Sequence, residues 1–343
     1  MKGFIKLFLI GFLFFDCSAA KAEERKNIKL GFVLPLSGEW AYLGNGIRNG
    51  ALLAKEDFTA AKNDYAFIFE DNIGLQSHSL TVTNKLINVR KVNALISIFS
   101  GVGKLINPLA EKSKTIHIGI CSDIEVARGE YNFTHYITAE QGVDKFVERA
   151  ITIKKTKPLK IGILTANEAG FVSLVDRLKQ KIADIRINHI EQFDPNERDL
   201  KTVVLRTISK KPDILLLLAL SPQLEIIARQ LKEFNSKIQL ASIEAFGLAA
   251  DKSLFKGSWY VDAASPDKKF TDRYLNRFNT SVTPGVGHAY DTVRLMMEKF
   301  ESTDETLVWR AILENKPYSG IIGEVKIDKG GIMKTVPLVK TID

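Results

Sequence analysis

Two spacings of apolar residues take turns along this chain. Residues 28–34, 65–70, 94–98 and 116–120 are short runs rich in β-branched and aromatic side chains, which predict strands. Between them, residues 46–59, 80–89 and 102–112 place apolar residues three and four apart, as an amphipathic helix requires. In the first of these, Ile47, Ala51, Ala54 and Phe58 fall on one face. After residue 121 the rhythm restarts, with strands predicted at 160–164, 187–191, 213–219 and 238–242 and helices at 172–182, 200–209 and 223–234. The run from Ile214 to Leu218 is apolar at every position, as expected for a strand covered on both faces. Two β-α-β series in succession predict an α/β protein of two doubly wound lobes. Ligands in such sheets bind beyond the carboxyl ends of the strands, so two facing lobes make a clamp.

The first residues follow a different pattern. Lys2 and Lys6 precede an apolar stretch at 7–15, and Ala20-Lys21-Ala22 has the small-x-small form of a cleavage site. This predicts a secretory signal peptide over 1–22 and a periplasmic protein, because the apolar stretch is shorter than the roughly 20 residues of a membrane helix. Cys17 offers a second reading, a lipid anchor. The bulky and acidic Phe14, Phe15 and Asp16 before it favour the free form. Cleavage after Ala22 leaves Cys121 as the sole cysteine, so stability must come from the core. It also takes the net charge from +8 to +6, mildly basic and spread along the chain. That distribution predicts no nucleic-acid partner.

Several motifs bear a resemblance that spans the mature chain in order. KLGFVLPLSG at 29–38, YLG at 42–44, NGALLA at 49–54, Glu70-Asp71, IFSG at 98–101, GHAYD at 287–291 and YSGIIGEVKID at 318–328 carry it. Together they resemble the leucine/isoleucine/valine-binding protein family, the type I periplasmic solute-binding proteins of ABC transporters. The resemblance implies three crossings between lobes: lobe 1 from 23–140 plus 265–321, lobe 2 from 141–264 plus 322–343, and hinges near 139–142, 262–266 and 321–323. It implies a small-molecule ligand, an amino acid or a related carboxylate or amide, and a permease of an ABC transporter in the inner membrane as partner. It implies no cofactor, no metal and no catalytic residue.

The candidate ligand-binding residues combine local chemistry with that resemblance. Ser100 and Gly101 stand where a strand gives way to a helix, and free N–H groups there attract an anion. The resemblance assigns them a ligand carboxylate. Cys121 and Ser122 end the next strand, where the family offers a backbone carbonyl and a hydroxyl. Glu244 follows a second-lobe strand, where amino-acid-binding members pair an acid with the ligand's ammonium. Leu43, Ala169 and Leu220-Ser221 stand where some branched-chain binders carry aromatic residues. Tyr42, Phe171 and Ser221 are the candidates closest to those positions, and the missing aromatics leave room for a larger or more apolar ligand. His288, Tyr290 and Asp291 are read as structural, at a helix start.

Rival functions lack their motifs. The five histidines form no HExxH pair, and Cys121-Ser122 lies in GICSD, which is not a G-x-S-x-G elbow. GVGK at 101–104 resembles the tail of a phosphate loop. Ile98 stands where such a loop needs glycine, and Leu105 where it needs Ser or Thr. Two alternatives stay open: a sensory module reporting to a separate receptor, which uses the same clamp, and an exported enzyme whose Ser, His and Asp assemble from distant positions.

Overall fold

The computed structural model describes residues 25–59, 61–153, 159–181, 185–314 and 317–343. The expected signal peptide, Cys17 and the predicted helix end at Ile182 lie outside the described residues.

The first lobe begins β1 (Asn27–Leu34), α1 (Ala41–Glu56), β2 (Asp64–Asp71), α2 (Gln76–Asn84), β3 (Ala94–Ile98), α3 (Ser100–Ser113), β4 (Ile116–Ile120), β5 (Asn132–Tyr136). The chain then enters the second lobe with α4 (Ala139–Ile153), β6 (Leu159–Ala166), α5 (Ala169–Lys179), β7 (Ile185–Phe193) and α6 (Lys201–Ser209). That lobe continues with β8 (Ile214–Leu218), α7 (Gln223–Glu233), β9 (Gln239–Ile243) and β10 (Trp259–Ala263). It returns for α8 (Lys268–Phe278), α9 (Val286–Ser302), α10 (Val308–Leu313), β11 (Tyr318–Gly320), β12 (Gly323–Ile327) and β13 (Ile332–Lys334). The last strand, β14 (Pro337–Thr341), closes the second lobe.

Two sheets result, in the orders β11-β12-β13-β5-β4-β3-β1-β2 and β14-β10-β9-β8-β6-β7. Each has a parallel centre, and β3, β4 and β8 are buried at every position, as central parallel strands must be.

The third crossing differs from expectation. Residues 323–334 were expected in the second lobe, but β12 and β13 extend the first sheet, with β13 parallel to β5. The chain therefore crosses at Thr335-Val336, later than 321–323. The hydrophobic pattern of β11–β13 suits either sheet, and only the pairing decides. Backbone and side-chain hydrogen bonds tie the crossings together. Gln141 Nε2 donates to the carbonyl of Thr335 at 3.0 Å, and the Ala264 N–H donates to that of Val336 at 3.2 Å.

Helix α1 also differs: it starts at Ala41 rather than at 46 and runs through three glycines. Their absent side chains are the reason it fits. A Cβ on Gly44 would lie 2.0 Å from the Pro35 carbonyl oxygen, and one on Gly50 would lie 2.6 Å from that of Val286. The glycines let α1 pack backbone-to-backbone on its neighbours, which outweighs their cost of about 1 kcal/mol each in helix propensity. Helix α2 lies earlier than predicted and passes into a π-helical turn over Lys85–Arg90.

Asp291 confirms its structural reading: its carboxylate accepts from the N–H groups of Ile321 at 2.9 Å and Ile322 at 3.3 Å. Among the described residues no helix is long and apolar enough to cross a membrane.

Candidate functional site

The first-lobe wall is made where β3 and β4 end. Phe99, just past β3, has φ +72°, in the left-handed region that costs a non-glycine residue about 1–3 kcal/mol. That turn starts α3 at Ser100 and sets the Phe99 ring edge-on to Trp40, with centroids 4.7 Å apart. The opening N–H groups of a helix lack intrahelical partners, and Ser100 and Gly101 hold that position here. A Cβ on Gly101 would lie 2.9 Å from Nε2 of the exposed Gln76, whose flexible side chain can move aside.

Past β4 come Cys121 and Ser122, both buried. The Cys121 carbonyl accepts from the Thr134 hydroxyl at 2.5 Å, and burial pushes the thiol up to about 12, so it stays un-ionised at neutral pH. The acidic neighbour Asp123 is engaged elsewhere. It accepts from the N–H of Glu125 at 3.0 Å and pairs with Lys104 at 3.0 Å.

The second-lobe wall is made where β6, β8 and β9 end. Gly170, in the first turn of α5, closes against the other lobe: a Cβ there would lie 3.2 Å from Ser100 Oγ and 3.9 Å from Ser122 Oγ. Glu244 follows β9 with φ +66° and ψ −47°, held by a hydrogen bond from its N–H to the Val261 carbonyl at 2.8 Å. The residue is half-buried at the cleft wall, and its Oε1 is shielded from solvent with no partner among the described residues. Burial first, then the nearby Asp262 carboxylate, pushes Glu244 up to about 8, while a hydrogen bond with Ser122 pulls the other way. Glu244 is therefore mostly protonated at neutral pH in this arrangement. It is also in contact with a first-lobe residue, so the two walls meet.

Between them lies a cleft of about 600 Å³, within the range of about 300–1,000 Å³ common for small-molecule sites. Ser100, Gly101, Cys121, Ser122, Phe171, Ser221 and Glu244 all line it. Two of the expected contacts change their meaning. Tyr42 does not line the cleft; its hydroxyl donates to the Leu248 carbonyl of the other lobe at 2.6 Å and acts as a latch at the rim. Ser221 does line it, but its hydroxyl donates to Glu225 at 2.8 Å and accepts from the Ala250 N–H at 3.0 Å, so it is already engaged.

The sequence reading missed Trp40, Gln76, Phe99, Glu168, Asn196 and Arg198, which also border the cleft. Arg198 reaches Glu39 across the mouth at 3.5 Å. Burial, then Asp194, raises Glu168. Trp40, three residues from Leu43, and Phe99, just past β3 and distant from both Leu43 and Ala169 in the chain, bring two aromatic rings to the cleft. The sequence signal for Trp40 was its place between a Gly-Glu turn and the start of a helix. Among the described residues no group of three or more His, Cys, Asp and Glu side chains is arranged to hold a metal ion.

A family model described as periplasmic binding protein matches residues 27–340. No curated protein matches the chain in sequence. Among solved structures, the branched-chain amino acid transporter substrate-binding protein LivJ of Streptococcus pneumoniae, in complex with isoleucine, superposes with TM-score 0.82. It is 17% identical, over 93% of this chain and 97% of that one. A solute-binding protein of an ABC transporter from R. palustris, in complex with benzoate, gives TM-score 0.82 at 16% identity, over 92% of this chain and 93% of that one. The leucine-binding protein LivK of Thermotoga maritima gives 0.81 at 16% identity, covering 92% and 95% respectively. At such identities the likeness concerns the fold.

Proposed function

The chain belongs to the periplasmic binding protein family and has its type I, two-lobed fold, and from that premise we propose that it is the extracytoplasmic solute-binding component of an ABC transporter. It captures an amino acid, or a related small carboxylate or amide, and presents the closed form to a permease. The observation that carries this reading is the convergence of Ser100, Gly101 and Ser122 from one lobe on Glu244 from the other, inside one cleft.

The ligand's carboxylate docks on the N-terminus of α3, where the helix dipole and the Ser100 hydroxyl complement negative charge. Its ammonium meets Glu244, whose unpartnered Oε1 is open to a donor. An ionised pair of this kind is stronger than a neutral hydrogen bond. The body of the ligand lies on Trp40, Phe99 and Phe171, an apolar wall that suits a side chain larger than that of leucine. No step requires chemistry, and the cycle is closure and release about the three crossings. Residues 1–22 serve as the export signal, which fractionation of expressing cells and N-terminal sequencing of the mature protein check.

A second ligand class has one observation in its favour. Because Glu244 is raised to about 8, it is mostly a neutral acid at pH 7 and donates a hydrogen bond. A carboxylate or amide without an amine, including an aromatic acid, can accept that bond.

Thermal unfolding of refolded, ligand-free protein against amino acids, carboxylates and amides tests the reading. A solute at 100 times its dissociation constant adds about 2.7 kcal/mol, a shift of several degrees for a chain of this size. A rise with α-amino acids alone supports the Ser100–Glu244 clamp. A rise with acids or amides lacking the amine transfers Glu244 to the donor role. Silence across the panel removes this ligand class and favours the sensory alternative.

A further inference from the structure

Behind the ligand cleft lies a smaller cavity of about 100 Å³, at the hinge. Tyr136 borders it just before the first crossing, Ala263, Ala264, Ser265 and Pro266 line it along the second, and Lys340 borders it after the third. Tyr136, Pro284 and Gly285 face both cavities and form the wall between them.

Its charge is unbalanced. Lys252 and Lys340 both border it, whereas Asp262 is the carboxylate they share. Lys340 Nζ lies 3.4 Å from Asp262 Oδ2 and 3.0 Å from Ser265 Oγ. The other Asp262 oxygen accepts from the Tyr136 hydroxyl at 2.6 Å and the Ala263 N–H at 2.8 Å. Two ammonium groups thus face one carboxylate that is already shared among several donors. The next carboxyl, Glu244, is mostly protonated at neutral pH. Burial, and repulsion from Lys340, both lower Lys252, against the attraction of Asp262. The space therefore holds a surplus positive charge, with Lys340 largely enclosed and the exposed Lys252 at its rim, and the enclosed charge is the costly one.

The donors point the same way. The N-terminus of α9 opens into the cavity through Gly285, Gly287 and His288, and a helix N-terminus favours an anion. His288 is 3% exposed, and its Nε2 has no partner among the described residues. Burial, with His135 and Lys340 nearby, keeps the ring neutral, so Nε2 can carry the proton and donate it. A buried donor left without a partner costs about 1–3 kcal/mol. Water alone would satisfy the imidazole but would leave the second lysine without a carboxylate of its own, since Asp262 already serves Lys340, Tyr136 and the Ala263 N–H. A cation is disfavoured by both lysines and by the helix end, and the volume excludes a solute of the size the cleft takes.

We propose that the hinge cavity is a binding site for a small inorganic anion of about chloride size, held by Lys252, Lys340, His288 and the N-terminal turn of α9. Residues from both lobes form it, so the anion binds the closed arrangement and biases the protein toward closure. The site lies apart from the solute cleft, and its test needs no solute.

The mature protein, free of solute, is melted in sodium chloride and in sodium gluconate at equal ionic strength, and its crystals are soaked in sodium bromide for anomalous scattering. The expected result is a higher midpoint in chloride, rising with its concentration, and a bromide peak among Lys252, Lys340 and His288. Lys252→Gln should abolish the chloride-dependent rise, while Lys256→Gln, at an exposed lysine outside the cavity, should retain it. Equal midpoints in the two salts, or an equal rise in Lys252→Gln, would overturn the proposal. So would bromide found at the surface with water alone in the cavity.

Discussion

Under the proposed function, the two walls of the cleft recognise a ligand by different means. The first-lobe wall uses fixed dipoles: a helix N-terminus, the Ser100 and Ser122 hydroxyls and a glycine that leaves the backbone bare. None of these changes charge between pH 4 and 9. The second-lobe wall relies on one carboxyl, Glu244, on a strained backbone and with Oε1 shielded from solvent, whose charge depends on what it meets. A dipolar wall loses little when one donor goes, because its neighbours remain. A wall with one titratable group concentrates its contribution, and its pH dependence, in that group.

The largest effect should come from removing the concentrated element. Glu244→Ala is expected to weaken binding of an amine-bearing ligand by about 1.5–3 kcal/mol, the range for hydrogen bonds to charged groups. Titration calorimetry measures this, and unchanged affinity would take Glu244 out of the site. Gly170→Val tests whether the walls must touch. Its added carbons would fall where a Cβ already approaches Ser100 Oγ to 3.2 Å, and such overpacking costs about 1–3 kcal/mol. Ligand affinity should drop by a similar amount with little change in the melting midpoint of the free protein. A normal affinity would mean the lobes meet less tightly when a ligand is bound.

Changing pH probes the same asymmetry with no mutation. An ammonium ligand needs Glu244 ionised, so binding below pH 8 must release its proton. Affinity should rise with pH by up to about 1.4 kcal/mol per unit and level off near 8. A ligand that accepts a hydrogen bond from the protonated acid should instead weaken above pH 8. The free protein follows from the same shift. Glu244 is raised in the folded state relative to its ordinary 4.5. Its contribution to stability is therefore complete below about pH 4.5, declines as pH rises toward 8, and is constant beyond. Glu244→Gln should flatten that decline in a pH series of unfolding midpoints. Ser100→Ala should have the smallest effect, about 0.5–1 kcal/mol in affinity, because the backbone donors of α3 stay in place. A loss as large as that of Glu244→Ala would show that the hydroxyl, not the helix end, holds the ligand.

Much of the first-lobe wall was legible in the sequence because its chemistry is local. A strand that ends in Ser-Gly and leads into a helix announces free N–H groups wherever the lobe sits. The central strands were equally clear, since continuous apolar runs such as Ile214 to Leu218 have one reading in an α/β protein. Glu244 was reached through a resemblance, and its raised pKa depends on Asp262 and on enclosure by the other lobe, which no local pattern encodes. Tyr42 shows the limit from the other side. Its position in the chain placed it near the pocket, but α1 starts five residues earlier than the periodicity predicts, and its hydroxyl reaches the other lobe instead. Trp40 and Phe99 supply the aromatic wall from unexpected positions, because the shape of a pocket can be met from several points on the backbone. The third crossing was misplaced for a related reason: short strands such as β12 and β13 carry no mark of which sheet they join.

The stitched crossings have a mechanical consequence. One strand between two bodies permits twisting, sliding and bending. Three strands held side by side by the Gln141–Thr335 and Ala264–Val336 hydrogen bonds permit little besides rotation about the line they share. Opening then has one coordinate, like a door rather than a tethered ball. A partner that pries the lobes apart needs to push along that coordinate alone, and any push in that sense separates Glu244 from Ser122 and lets the solute go.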